Sequence, residues 1–121
     1  MIVKTIYHNL NGGQRDMAEH DFIVTTQWSG GRDETGTVKG DVLNESISIP
    51  SSLGGVGEGT NPDEMLIAAA SSCYIISLAA TLERAHFTDI SINQSSIGTA
   101  SLNNGKFKME KITHHPKITV D

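Results

Sequence analysis

The sequence predicts an α+β domain over residues 1–121, in which a mostly antiparallel sheet packs on one long helix. Three observations predict it. Short β-branched runs separated by glycine turns occupy the first half. An uncharged run from Met65 to Leu82 follows a strong helix-start signal. Two further extended segments flank Asn103-Asn104-Gly105. A chain of 121 residues fits one domain with a modest core, which oligomerisation would enlarge.

In chain order, Met1–Tyr7 reads as a short strand or arm, and Asn11-Gly12-Gly13 as a turn. Phe22, Val24, Thr26 and Trp28 alternate with Ile23, Thr25 and Gln27, which predicts a strand ending at Gly30-Gly31-Arg32-Asp33. Thr37–Lys39 predicts a second strand and Ser46–Pro50 a third. Residues 51–59 form a glycine-rich loop. Asn61 is a good N-cap, Pro62 fits the first helical position, and Asp63 and Glu64 complement the helix dipole. Asn61 and Glu64 have capping-box spacing. The helix is expected to end near Arg84 or Ala85. Being apolar or small all round, it is expected to be covered on every face. A membrane span is the lesser reading, because Ala, Ser and Thr dominate and the run barely reaches spanning length. The last third predicts a hairpin. In it Phe107, Met109 and Lys111 share one face, Pro116 marks an edge or bulge, and Ile118 and Val120 resume the strand.

Composition narrows function. A net charge of −5 with no basic cluster argues against nucleic acid and anionic membrane as partners. One cysteine cannot form an intramolecular disulfide, and the N-terminus does not read as a signal peptide. A reducing, cytoplasmic setting is expected. The five histidines lack zinc-motif spacing, there is no CxxC, and the glycines before the helix are not followed by Gly-Lys-Ser/Thr. No metal or cofactor is expected.

Cys73 is the one thiol in the sequence, and it falls on the helix. Composition favours a buried structural thiol there. A mid-helix position also lies away from the N-terminal dipole that favours a thiolate, so reactivity needs a cation from elsewhere in the fold. Arg32, after two glycines at a strand end, is the candidate; its local alternative is a solvated turn arginine beside Asp33 or Glu34. Asp63 lies ten residues before Cys73, ~15 Å of rise and about 80° of rotation away on a straight helix. The two cannot share a site within one helix. A second copy packed antiparallel would bring the start of one helix near the middle of the other, so joint use implies a homodimer.

The blocks Gly30-Gly31-Arg32-Asp33, Ile49-Pro50, Leu53-Gly54-Gly55, Gly59-Thr60-Asn61-Pro62-Asp63-Glu64-Met65-Leu66, Ala68-Ala69-Ala70 and Ser72-Cys73-Tyr74 resemble the OsmC/Ohr family, the osmotically inducible and organic hydroperoxide resistance proteins. The resemblance spans roughly residues 22–120. It implies an intertwined homodimer around a central helix, and a thiol peroxidase that reduces organic hydroperoxides to alcohols through a cysteine sulfenic acid. Cys73 matches the peroxidatic cysteine, and Arg32 the arginine that stabilises its thiolate. Asp63 falls where the family usually has a glutamate orienting that arginine, with Glu64 as a fallback. The family continues past the strand matching 115–120 into a helix with a resolving cysteine. This sequence stops at Asp121 with no second cysteine, which predicts a truncated sequence or the use of an external dithiol reductant. The competing expectations are a non-catalytic small-ligand-binding module and a redox sensor.

Overall fold

In the computed structural model, residues 18–121 are described. The predicted N-terminal strand or arm and the turn at Asn11-Gly12-Gly13 lie outside them. The described part contains β1 (Thr25–Trp28), β2 (Gly36–Lys39), β3 (Asn44–Ile47), a short 3₁₀ turn (Ser51–Leu53), α1 (Pro62–Arg84), β4 (Ser91–Asn103) and β5 (Lys106–Thr119). The architecture is α+β, with one antiparallel sheet in the order β1-β2-β3 and a second formed by the β4–β5 hairpin.

The outer strands of the small sheet are offset from the sequence pattern, β1 starting later and β3 earlier. Phe22–Val24 continue the β-branched alternation but lie outside β1. Their partner strand runs out: Thr25 pairs with Lys39, and Gly40 turns back by donating its N–H to the Leu43 carbonyl. The same tight turn starts β3 at Asn44, two residues ahead of the expected Ser46. Past Ile47 the chain leaves the sheet but stays tied to the helix start. Ile47 bridges Thr60, the Ser48 N–H donates to the Thr60 carbonyl, and the Ser48 hydroxyl donates to the Glu58 carbonyl at 2.7 Å. Gly59 runs against the Ser46 backbone at φ +71, where an added Cβ would lie 2.1 Å from the Ser46 oxygen.

The α1 boundaries match the sequence signals. The Asn61 side chain accepts from the Glu64 N–H at 2.9 Å and Pro62 opens the helix. The reciprocal half of the expected capping box is replaced, because the Glu64 carboxylate accepts from the Thr60 hydroxyl. At the other end, the His86 N–H donates to the Glu83 carbonyl and the Phe87 N–H to that of Leu82, with His86 left-handed at φ 71. This is a Schellman closure built without glycine.

The hairpin turns at Asn104 and Gly105, both with positive φ, as a two-residue type I′ loop requires. The ladder shifts register after Thr99: Thr99 faces Lys111 and Ala100 faces Met109, leaving Glu110 as the extra residue. The side-chain parity of β5 therefore changes there, and Met109 shares its face with Ile112 rather than with the expected Lys111. Pro116 pairs within an unbroken strand, and β5 ends at Thr119, short of Val120. Each strand of a two-stranded sheet is an edge, which is where proline is tolerated.

Helix α1 packs on the hairpin, mainly on β4. Gly98 permits this contact, since a Cβ there would lie 2.4 Å from Ile67 Cδ1. The expectation of a helix covered on every face is not met within one chain: no α1 residue is fully buried. By length and composition α1 could cross a membrane. Among the described residues only Gly36, Val38 and Ser48 are buried, and the small sheet leaves Phe22, Ile23 and Val42 largely exposed.

Candidate functional site

The two sides of α1 carry different chemistry. Toward the hairpin, Ser71 meets Gln94, Ser96 and His114. The Gln94 amide nitrogen donates to the Ser71 hydroxyl at 2.9 Å and to its carbonyl at 3.1 Å. The Ser96 hydroxyl bonds the Ser71 hydroxyl at 2.9 Å and His114 Nδ1 at 2.6 Å. The His114 ring stacks on Tyr74 with centroids 4.8 Å apart. Gln94 and Ser96 come from β4 and His114 from β5, where Ser96 and His114 face each other across the ladder. The sequence reading did not find this cluster. The period-2 row Ile92, Gln94, Ser96, Gly98 is its only trace, and polar residues obscured it.

Cys73 lies two residues, about 200° of rotation, beyond Ser71, on the side the hairpin leaves open. It is exposed, so the structural reading of a buried thiol does not hold within one chain. Leu66, Ala69, Cys73 and Ile76 follow one another at helical spacing, and all four are exposed. A groove of about 570 Å³ begins beside this stripe, lined chiefly by Ile75, Ile76, Ala79, Ala80 and Ile92, with Glu83 at its edge.

Arg32 sits in the β1–β2 turn. It pairs with Asp33 at 2.9 Å and donates to the Leu53 carbonyl at 3.4 Å, which holds that turn against the 3₁₀ turn before α1. Its ion pair is solvent-exposed, a type worth less than about 1 kcal/mol. Asp63, at the second position of α1, is half-buried. Glu64, the fallback carboxylate, is occupied by the cap and the Thr60 hydroxyl. Among the described residues, no hydrogen bond or ion pair joins Arg32, Asp63 and Cys73 within the chain. The described residues also hold no group of three or more His, Cys, Asp or Glu side chains placed to bind a metal ion.

The fold is shared with an OsmC-like protein of unknown function from Vibrio cholerae, at a TM-score of 0.71 and 17% identity over 85% of this chain and 77% of that one. Among curated sequences, the uncharacterized protein YmaD of Bacillus subtilis is 43% identical over 104 residues, covering 86% of this chain and 69% of its own length. An uncharacterized Acinetobacter baylyi protein is 28% identical over 83% of this chain and 72% of its own. The family model for OsmC-like proteins matches residues 55–121, a span that holds all of α1, Cys73 and the hairpin. The chain belongs to the OsmC-like family.

Proposed function

We propose that this protein is a cysteine-based reductase of organic hydroperoxides, acting in the cytoplasm as an intertwined homodimer. The observation that carries the proposal is the exposed Cys73 on the uncovered side of α1, within the span matched by the family model. A second α1 packed antiparallel on the Leu66–Ile76 stripe covers that side and brings the Asp63 of one chain toward the Cys73 of the other. The two-fold axis of such a pair passes near Ala69, whose small side chain on the open stripe allows close approach.

In this reading the Cys73 thiolate attacks the distal oxygen of the hydroperoxide. An S–O bond forms as the O–O bond breaks, the sulfur is oxidised by two electrons to a sulfenic acid, and the alkoxide takes a proton and leaves as an alcohol. Arg32 supplies the cation that favours the thiolate, and Asp63 orients it. The exposed Arg32–Asp33 pair is weak enough to exchange for such a partner. In this proposal an external dithiol resolves the sulfenic acid. The first thiol condenses with it and releases water. The second attacks the mixed disulfide, frees Cys73 and leaves the reductant oxidised.

The test is hydroperoxide consumption by the purified protein with a dithiol. The proposal expects turnover by wild type and none by Cys73→Ser, and equal rates would overturn it. The groove beside Ile76 favours a second reading, a non-catalytic module that binds a small apolar ligand. Saturable binding of such a ligand by a chain that leaves peroxide untouched would favour that reading.

A further inference from the structure

We propose that the Ser71–Gln94–Ser96–His114 cluster is a rotational clamp, a set of positioning residues that fixes which side of α1 Cys73 occupies. The inference rests on Cys73 being the reactive thiol of the preceding reading. It starts from a problem in the sequence. Residues 65–82 are apolar or small on every side, so burial alone does not select the face of α1 that meets the hairpin. Ala68, Ala69, Ala70, Ser71, Ser72, Cys73 and Ser77 are all small enough to lie against β4.

Hydrogen bonds select the face instead. Ser71 is the helix residue that hydrogen-bonds both Gln94 and Ser96, through three contacts of 2.9 to 3.1 Å and the relay from Ser96 onward to His114 at 2.6 Å. The neighbouring turn adds the Tyr74 ring, stacked on His114. Rotating α1 by one residue, about 100°, would strip the Gln94 amide and the Ser96 hydroxyl of these partners in a partly buried contact. Cost of this kind supplies specificity where an apolar contact is degenerate. The Gln94 carbonyl oxygen is itself buried without a partner, so the amide is held by its donor side, toward Ser71. With Ser71 held inward, Cys73 is turned to the open side.

The experiment compares full-length wild type, Gln94→Leu/Ser96→Ala and Ser96→Thr, reading Cys73 alkylation by iodoacetamide and folding by circular dichroism. The double variant makes the contact apolar, so the helix stays docked while its rotation is no longer specified. The expected result is alkylation that slows by about twofold or more, the factor reached when a second orientation takes half the population, or that splits into two phases. Ser96→Thr keeps the hydroxyl and should react in one phase at the wild-type rate. A folded double variant that is alkylated in one phase at the wild-type rate overturns the clamp. If the double variant does not fold, Ser71→Ala is read by the same criteria. Peroxide consumption is scored separately, so an inactive wild type would remove the functional reading while the alkylation comparison still decides the clamp.

Discussion

The hairpin side and the open side of α1 solve different problems with the same kind of residue. Both are built from Ala, Ser and medium aliphatics. On the hairpin side, Ser71 is bonded to two strand residues, and Ile67 closes on Gly98 with no room for a Cβ. On the open side, Leu66, Ala69, Cys73 and Ile76 touch nothing that buries them, and Ile76 is 68% exposed. In the proposed dimer, the side of this apolar helix that the hairpin leaves open is the side that a second copy covers. The difference teaches that position on α1, rather than residue type, separates the groups that fix the helix from the group available for chemistry.

Substitutions can break this contrast in order of expected effect. Cys73→Ser, on the open side, should abolish hydroperoxide turnover while leaving the unfolding midpoint near wild type, because the thiol is exposed; an assay with dithiol and a urea melt check both. Arg32→Met should lower turnover by about a hundredfold, the scale of losing one preorganised charge at a reacting anion. It should leave the fold intact, since it removes only an exposed ion pair and one 3.4 Å contact. Ala69→Glu should shift the molecule from dimer toward monomer in light scattering, because a two-fold contact would place two carboxylates opposite each other. Gly98→Val, on the hairpin side, should destabilise by about 1–3 kcal/mol through overpacking against Ile67, read from the urea midpoint, with dimerisation following only the loss of folded chain. The smallest effect lies at the helix end. His86→Gly should stabilise by about 1 kcal/mol, since a non-glycine residue at φ 71 carries strain that glycine lacks.

Features written in local chemistry were legible in the sequence. Asn61-Pro62 placed the start of α1, Asn104-Gly105 placed the hairpin turn, and the GTNPDE block with Cys73 pointed to the family. Features that depend on partners were not. Nothing local starts β1 at Thr25; it starts there because its partner β2 turns away at Gly40. The extra residue at Glu110 carries no glycine signal, so the face of Lys111 was misread. The Ser71 cluster joins residues 18 to 25 positions apart through side chains common in any loop. The candidate site was legible only as three residues. Within one chain no bond joins Arg32, Asp63 and Cys73 among the described residues, and helix geometry by itself keeps residues 63 and 73 apart.

The central claim is that two chains build one site, and a mixed dimer tests it directly. Cys73→Ser and Asp63→Ala chains, co-expressed with different tags and purified as the heterodimer, leave one intact Cys73 facing one intact Asp63 if the residues act across the interface. The account predicts that each variant alone is impaired and that the heterodimer recovers about half the wild-type turnover, one working site of two. A heterodimer no more active than the Asp63→Ala homodimer would contradict it.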